Sequence, residues 1–584
     1  MNLPKDLPLR QRHVLIAAFL FLLGLGLYAN SFQNEMFWDD DDFILKNRYI
    51  QDWKYLPQYF SENAIAGHYL LSNYWRPVLL LLFSLEWHLW QDWAPGYHIV
   101  STCLHAVDSL LLYWLLFLLF KNQGLAFSTS LIFLIHPVQT EAVVYANAVS
   151  DSLTSLFVFL SLISYTRLRL RQPQPLRPYL SFPYLSSLIL YILGLMSKET
   201  AFVLPGYLLL IESILKQGSS SFKEKILTAI RSIGPFLLVA GVYLCLRATV
   251  LNFNNTFNFY KEENVFTANF DVRLFTFFRV LTVYFGLLFL PLDLHVERSV
   301  ALATSLFSGW AVVLGAGLFL GLIFLATREF KHRRVVSFGI LWFFIGLLPS
   351  SNLLIPINAL LYEHFLYLPL IGIFLAVISR PWEAAKRKHL KPILGALLGG
   401  YLVFFCGRTI VRNQDWKDPI TFYENLLTHA PDSYRVINNL GMAYAEGGFL
   451  QKAEGTYRKA IALDPANPVA YHNIAGVYRN SGRIDLAIKN FEKAIQLNPR
   501  FIFSYKSLAQ LYYDQIDYLN ARKTLERVLP YTEEKAEILH LLAQMAYKQG
   551  DFAGARAYLQ KALEIDPQNQ ALESLFKKVE YLLR

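Results

Sequence analysis

Long apolar runs alternate with short polar connections through the first two thirds of the chain. Twelve such runs are candidate membrane spans. They cover residues 13–29, 97–120, 125–147, 151–167, 179–195, 200–215, 231–250, 273–291, 304–326, 336–349, 359–379 and 392–410. A shorter apolar stretch, residues 76–91, ends in Trp and His and is predicted to be an amphipathic helix on the membrane surface. The pattern therefore predicts 11 to 13 hydrophobic segments.

A different period governs the last third of the chain. Prolines recur every 34 residues, at Pro431, Pro465, Pro499 and Pro567, with Glu533 at the missing position. Small and aromatic residues recur between them, as Gly441, Tyr444, Ala453, Tyr457 and Ala460 do in the first period. This is the period of the tetratricopeptide (TPR) repeat, a pair of helices that stacks into a solenoid. We predict about four repeats after a leading half repeat at 418–431, and binding of protein or peptide on the concave face.

Composition agrees with a membrane region followed by a soluble one. Of 584 residues, 54% are apolar and 17% are charged, which is low in charge for a soluble domain. The net charge of +10 comes from short basic clusters between apolar runs, and no basic stripe with interleaved aromatics suggests nucleic-acid binding. We predict an all-α protein: a polytopic membrane helical bundle over residues 1–412, with an outer loop at 30–96, then a TPR α-solenoid over residues 413–584.

Charge also predicts an orientation. The basic stretches 166–178, 328–334 and 380–391 should lie in the cytoplasm, together with the N-terminus. Segment 30–75 has seven acidic residues against three basic ones and should lie on the opposite side with the TPR region. Simple alternation gives one crossing too many between the first two basic stretches, and 273–291 is the suspected re-entrant segment.

Polar residues beside or within the apolar runs are the candidates for chemistry. Four consecutive Asp residues at 39–42 offer a general base or ligands for a divalent cation, although a solvated acidic loop would explain them equally well. His136 and Glu141 interrupt an apolar run around Pro137, where such residues usually face a polar cavity. Lys198, beside Glu199, is placed to neutralise a lipid phosphate, or else to form a local ion pair.

Further candidates lie along the membrane region. Arg76 follows aromatic residues and suits bidentate phosphate binding. His98 and His105 lie on one helical face at a spacing that favours a structural or cavity-lining role over metal chelation. Glu363 and His364 are adjacent and could pair at a helix end. The sequence has no phosphate-binding Walker loop, zinc-protease motif or nucleophile elbow.

The order of these motifs resembles that of the transmembrane-and-TPR O-mannosyltransferase family of the GT-C glycosyltransferase superfamily, over essentially the whole chain. The matching motifs are Trp38-Asp39-Asp40 with Ile44 and Asn47, Arg76-Pro77, Tyr97-His98, Leu104-His105, His136-Pro137, Glu141-Ala142-Val143, Ser197-Lys198-Glu199, Pro349 with Ser351-Asn352, Glu363, and Tyr367-Leu368-Pro369.

The resemblance implies an inverting transferase that uses a polyprenyl-phosphate-linked monosaccharide. It implies that Asp39 or Asp40 acts as the base for an acceptor hydroxyl of an exported protein. It also implies that Arg76, His136 and Lys198 bind the donor phosphate. The remaining polar candidates would line the cavity: His98, His105, Glu141, Glu199, Glu363 and His364. Some members of the superfamily use a divalent cation, for which Asp39 and Asp40 would be the ligands. The resemblance also implies recruitment of the acceptor by the TPR repeats, and the compact layout with short loops suggests a bacterial inner membrane.

Two alternatives stay open from the sequence. One is an envelope enzyme that glycosylates a glycolipid or polysaccharide instead of a protein. The other is a membrane-anchored TPR scaffold without activity, which would need only one or two anchoring helices. Ionisable residues at membrane depth are costly and argue for an enzyme over a scaffold.

Overall fold

The computed structural model is helical throughout the part of the chain that it describes. It describes residues 8–171, 181–215, 222–254, 263–384, 391–532, 534–567 and 569–584, and every regular element in these ranges is a helix. The chain divides into two compact units, Met1–Phe422 and Tyr423–Arg584. The sequence placed the boundary between residues 412 and 413, whereas helix α17, Lys391–Gln414, continues across that point.

The first unit contains seventeen α-helices within the described residues and is joined to the second by α18, Pro419–His429. In chain order its helices are α1 Leu9–Tyr28, α2 Arg48–Gln51, α3 Gln58–Ser61, α4 Pro77–Trp90, α5 Ala94–Phe120, α6 Gln123–Ile135, α7 Thr140–Val144, α8 Val149–Arg171, α9 Phe182–Leu195, α10 Leu204–Leu215, α11 Phe222–Ala248, α12 Val265–Ala268, α13 Phe270–Phe289, α14 Trp310–Glu329, α15 Arg334–Leu347, α16 Pro369–Ala384 and α17.

Seven helical segments of the described chain are long and apolar enough to cross a membrane. They are Leu9–Ser31, Ala94–Phe120, Ala146–Arg171, Arg231–Ala248, Phe270–Phe289, Trp310–Glu329 and Gly395–Gln414. The pair α6 and the segment Pro137–Val144 adds an eighth if it is counted as one span, although the pair is bent by 51°. Four shorter apolar helices bring the number of hydrophobic segments into the predicted range.

Proline explains the bend between α6 and α7. Pro137 has no N–H to continue the hydrogen-bond ladder, and its ring disfavours a helical conformation for the preceding residue. His136 accordingly adopts an extended backbone with φ −70° and ψ 126°. The predicted span 125–147 is therefore broken, with a polar turn at its centre.

Three other predicted spans differ from the helices found. The span predicted at 304–326 begins only at Trp310, and the span at 359–379 becomes helical only from Pro369. The span at 200–215 opens with a 3-10 turn, Glu199–Val203, before α10. The predicted spans begin too early in the sequence because the segments that precede each of these α-helices are also apolar.

The suspected re-entrant segment, 273–291, forms α13, which is itself long and apolar enough to cross a membrane, so its re-entrant course stays a prediction. The chain that follows α13 runs back beside the first half of this helix, where the Ala303 N–H donates to the Thr276 hydroxyl (3.0 Å). The Thr282 hydroxyl then donates to the Ala311 carbonyl (2.7 Å), next to the start of α14. Because α14 begins beside α13, the chain between the two helices runs back along α13 toward the end at which α13 begins.

Glycines let α15 and α16 approach closely. A Cβ atom on Gly339 would overlap the carbonyl oxygen of Gly372, and a Cβ on Gly372 would overlap that of Gly339. Small residues at facing positions are a common way for membrane helices to pack backbone against backbone. Trp342 stacks on Tyr207 of α10 with ring centroids 3.7 Å apart, which fixes the third helix of this group.

The second unit is a stack of helix pairs. The pairs are α19 Tyr434–Glu446 with α20 Leu450–Leu463, α21 Pro468–Asn480 with α22 Ile484–Leu497, α23 Ile502–Asp514 with α24 Tyr518–Val528, and α25 Lys535–Lys548 with α26 Phe552–Ile565, followed by α27 Gln570–Leu583. The recurring small residues Ala453, Ala487, Ala521 and Ala555 are fully buried between paired helices. The four predicted repeats and the helix of the predicted half repeat are thus present.

We predict that Gly372→Ala lowers the free energy of unfolding of the first unit by about 1–3 kcal/mol, because the added methyl group overpacks a backbone contact. The measurement is the thermal unfolding midpoint of the purified protein in detergent. Gly399→Ala in α17 is the matched control, since a Cβ there meets no heavy atom within 4 Å. Equal midpoints for the two variants would contradict the close approach.

Candidate active site

The acidic outer loop is an ordered substructure with its own apolar core. Its buried aromatic and aliphatic side chains pack against α4 and the start of α8; they are Phe43, Ile44, Tyr49, Ile50 and Tyr59. The Asn47 side-chain amide donates to the carbonyls of Phe43 (3.3 Å) and Ala64 (3.0 Å), and its oxygen accepts from the Tyr49 N–H (3.2 Å). The carboxylates at 39–42 are therefore held in defined places instead of on a solvated loop.

A stack of aromatic rings holds the start of the acidic motif. Trp38 has φ 64°, a left-handed backbone that is strained for a bulky side chain. Its ring lies on Tyr145 with centroids 5.4 Å apart, and Tyr145 stacks on Trp416 at 5.2 Å. A strained backbone persists only where its surroundings fix it. The aromatic stack therefore fixes the backbone at Trp38 and, with it, the orientation of the next residue, Asp39.

Asp40 is buried, whereas Asp39 is only half-buried. One Asp40 oxygen accepts from the Asn147 N–H (2.8 Å) and the other from the Phe37 N–H (3.1 Å). Burial raises the pKa of the Asp40 carboxyl well above its usual range, although these two amides act in the opposite direction. The Asp39 N–H donates to the Tyr145 hydroxyl (3.1 Å). Asp40 thus fastens the loop to the 145–147 turn, and Asp39 is the more accessible carboxylate.

The other two acids of the motif face away from this turn. Asp41 pairs with Lys46, and Asp42 lies 2.8 Å from His68 Nδ1. Among the described residues no group of three or more His, Cys, Asp or Glu side chains is arranged to hold a metal ion. Both oxygens of Asp40 already accept backbone N–H groups, and the cation role of Asp39 and Asp40 stays a prediction.

Two buried cations lie near Asp39, each beside a carboxylate. The Lys198 ammonium is 2.8 Å from both oxygens of Asp151, and the Arg76 guanidinium is 3.0 Å from Glu199. Lys198 and Glu199 do not pair with each other, because the extended backbone at Lys198 directs them to different partners. Asp151 therefore completes a pair that the order of residues along the chain does not suggest.

Tyr74 connects the acidic motif to these ion pairs. The Arg76 guanidinium lies over the Tyr74 ring at 4.3 Å from its centroid. Asp39 and Glu199 also lie within electrostatic range of the Tyr74 hydroxyl. A backbone hydrogen bond from Val78 to Met196 (3.1 Å) holds the two segments together. The structure thus brings Asp39, Arg76, Lys198 and Glu199 to one end of the bundle.

A second charged cluster surrounds Glu363. Its two oxygens accept from Arg298 (3.4 Å) and Arg412 (3.3 Å), and both arginine side chains are buried. His364 does not pair with Glu363 as the sequence suggested. Instead, its ring and its N–H contact the two oxygens of Glu141, at 2.8 and 3.0 Å. These contacts join α7, the 363–366 turn and α17.

His136 is not placed to bind a donor phosphate. Its Nε2 donates to the Leu288 carbonyl (2.9 Å), and its Nδ1 accepts from the Val138 N–H (3.2 Å). The ring is fully buried against Phe405, with centroids 4.3 Å apart. Both nitrogens are used in capping the bend at Pro137, so the role that the sequence assigned to His136 is replaced by a structural one.

His98 and His105 are both buried and brace the bundle. His98 Nε2 lies 3.0 Å from the Asn34 carbonyl, at the foot of the outer loop. His105 contacts the Leu134 carbonyl (3.2 Å) and the Tyr367 hydroxyl (2.8 Å), which in turn donates to Asp108 (3.0 Å). These contacts fit the structural role that the seven-residue spacing favoured.

Sequence reasoning missed several side chains that build the site. They are Tyr145, Asp151, Arg298, Arg412 and Trp416. Asp151 carried a signal, because an acid at the start of an apolar helix is unusual. The other four follow only from the way distant segments meet.

Comparison with known proteins gives this arrangement a context. The chain is similar to protein O-mannosyl-transferases. A relative in Caenorhabditis elegans is 25% identical over 467 residues, covering 77% of this chain and 63% of that protein. The human protein O-mannosyl-transferase TMTC4 is 24% identical over 471 residues, covering 73% of this chain and 63% of that protein. The chain therefore matches less than two thirds of the length of these relatives.

The repeats are also recognised independently. Tetratricopeptide-repeat families match residues 408–468, 468–501 and 536–569. The crystal structure of MamA is 21% identical, with a TM-score of 0.24, covering 26% of this chain and 87% of that chain. At this TM-score the likeness adds nothing to the assignment. Together with the apolar helices, the comparisons make this a multi-pass membrane protein with C-terminal TPR repeats.

We predict that Asp40→Ala loosens the outer loop, because it leaves the amides of Asn147 and Phe37 buried without an acceptor, at about 1–3 kcal/mol each. Limited proteolysis of the folded protein should then cut within residues 30–75 faster than in the wild type. Asp42→Ala is the control, since Asp42 contacts only His68 near the loop surface among the hydrogen bonds described. Equal cleavage of the two variants would contradict the fastening role of Asp40.

Proposed function

We propose that this protein is a membrane glycosyltransferase that moves a monosaccharide from a polyprenyl-phosphate donor to hydroxyl groups of an exported protein. The observation that supports this most is that Asp39, a half-buried carboxylate, lies at the same end of the bundle as the Arg76–Glu199 and Lys198–Asp151 pairs. The similarity to protein O-mannosyl-transferases makes mannose the first sugar to test and a protein the first acceptor.

Asp39 is the proposed general base, and Asp40 is the residue that positions it. A base must have an oxygen within hydrogen-bond reach of the acceptor hydroxyl. Both oxygens of Asp40 already accept backbone N–H groups, and its side chain is 1% exposed. Asp39 follows the fixed Trp38 and is reached from outside the bundle, so it suits an acceptor that arrives as part of a protein.

Arg76 and Lys198 are proposed to meet the phosphate of the donor. Both are buried, and a buried cation needs an opposite charge. Glu199 and Asp151 supply that charge in the structure and keep the two side chains in position. A phosphate entering between them adds acceptor oxygens for guanidinium and ammonium groups, which are well suited to it.

The proposed reaction is a single displacement. Asp39 takes the proton from the acceptor hydroxyl, and the hydroxyl oxygen forms a bond to the anomeric carbon of the sugar. The bond from that carbon to the phosphate oxygen breaks on the opposite side, so the configuration inverts. The polyprenyl phosphate leaves with the bonding electrons, and Arg76 and Lys198 stabilise the charge that develops on it.

The TPR repeats are proposed to recruit the acceptor protein, since stacked repeats offer an extended binding surface. The acidic loop and the repeats are proposed to face the outside of a bacterial inner membrane. The basic stretches between spans support this orientation. A divalent cation bound by Asp39 and Asp40 is a further proposal, and the displacement reaction does not require it.

We predict that Asp39→Asn lowers sugar transfer by about 10²–10⁴-fold, the usual contribution of a general base. The measurement is transfer of labelled mannose from a polyprenyl-phosphate donor to exported proteins in purified membranes. Asp41→Asn is the matched control, because Asp41 pairs with Lys46 at the surface and should leave transfer unchanged. Thermal unfolding midpoints of both variants check that they are folded.

Two results would count against this assignment. Wild-type rates with a folded Asp39→Asn variant would remove Asp39 as the base. Transfer by the wild type to glycolipid or polysaccharide but not to protein would keep the transferase and replace the acceptor.

We predict that Lys198→Gln raises the donor KM by about tenfold or more, since a hydrogen bond to a charged group contributes about 1.5–3 kcal/mol. Arg169→Gln is the control: Arg169 forms an equally buried pair with Glu212 (2.6 Å), about 27 Å further along α8 from Asp151. Breaking that pair should lower stability without changing the donor KM. Equal changes in KM for the two variants would show that Lys198 acts only through stability.

A further inference from the structure

A groove lies between α1 and α5, at the end of the bundle away from Asp39. Its volume is about 510 Å³, within the usual size of small-molecule sites. Its walls are mostly apolar and come from the first turns of α1 and the last turns of α5: Leu9, Val14, Ala17, Leu110 and Phe117. Asp39 follows the opposite end of α1, so the groove is not part of the candidate active site.

The mouth of the groove is basic. Arg10 lines it, the Arg167 guanidinium lies 5.7 Å from the ring centroid of Trp114, and the Lys121 ammonium lies 5.8 Å from that of Phe117. None of these three cations forms an ion pair within the described residues, and no acidic residue lines the groove. This surface is therefore complementary to an anion with an apolar tail.

Two N–H donors also lie in the wall without an acceptor. His13 Nε2 and Trp114 Nε1 are shielded from solvent, and neither has a hydrogen-bond partner in the described part of the protein. The Tyr113 hydroxyl is 2.6 Å from His13 Nδ1 and accepts from the Gln123 side chain (3.5 Å). In the tautomer in which Tyr113 donates to Nδ1, the ring proton of His13 is on Nε2, so Nε2 and Trp114 Nε1 can both donate to an oxygen anion.

We propose that this groove binds an anionic phospholipid of the surrounding bilayer. One acyl chain would lie along the apolar wall, and the headgroup phosphate would accept from His13, Trp114 and Arg10. A basic pocket between membrane helices on the predicted cytoplasmic side is a recognised setting for anionic lipid headgroups. The phospholipid satisfies at once the two buried donors, the unpaired cations and the exposed apolar wall.

The test uses the full-length protein in a neutral detergent. Thermal unfolding midpoints and native mass spectrometry are recorded with phosphatidylglycerol or with phosphatidylcholine as the probe. We expect phosphatidylglycerol alone to raise the midpoint and to remain bound. The double variant Arg10→Gln/Arg167→Gln should bind it about 25-fold more weakly, because each cation near a lipid surface contributes about 1 kcal/mol, or about fivefold. Trp114→Phe, which keeps a ring but loses the N–H, should also weaken binding.

Arg328→Gln/Lys331→Gln is the matched control, which removes two exposed charges, one in the last turn of α14 and one just after that helix. It should bind phosphatidylglycerol like the wild type. Equal loss in the control and the groove variant would show general surface attraction and overturn the site. So would equal binding of phosphatidylcholine. Displacement of phosphatidylglycerol by an equal concentration of polyprenyl phosphate would assign the groove to the donor lipid and overturn the phospholipid proposal.

Discussion

Ion pairs between buried charges constrain how the apolar bundle of this protein is assembled. A lone ion is expensive in a low-dielectric interior, and removing one partner of a buried pair leaves the other uncompensated. Lys198 with Asp151, Arg76 with Glu199, and Glu363 with Arg298 and Arg412 each pair across segments that are distant in the chain. These ion pairs hold helix ends and loops in fixed positions relative to one another at one end of the bundle.

The Arg76–Glu199 and Lys198–Asp151 pairs also preorganise the candidate site for binding an anion. Cations held beside carboxylates are oriented before any ligand arrives, which is the preorganisation that electrostatic catalysis requires. The outer loop adds a carboxylate whose direction is fixed by the strained Trp38 and by Asp40 with its two backbone amides.

The two ends of the bundle differ in chemistry. At the end with Asp39, carboxylates and cations are paired and partly open to a polar approach. At the other end, Arg10, Lys121 and Arg167 lie beside an apolar groove and form no ion pair with the residues that the structure describes. Charge asymmetry of this kind orients a membrane protein. Our two proposals follow this asymmetry: they place sugar transfer at the end with Asp39 and phospholipid binding at the other end.

The sequence by itself determined the helical class, most of the hydrophobic segments and the repeats with their 34-residue period. These are local properties, because periodicity and proline act within a few residues. It also selected Asp39, Arg76 and Lys198 as residues with unusual positions for their charge. Only the tertiary structure decided which partners they have, that Asp40 is a fastening residue, and that His136 caps a bend. Partners such as Asp151 come from other helices, and the packing that brings them together has no signature in the local order of residues.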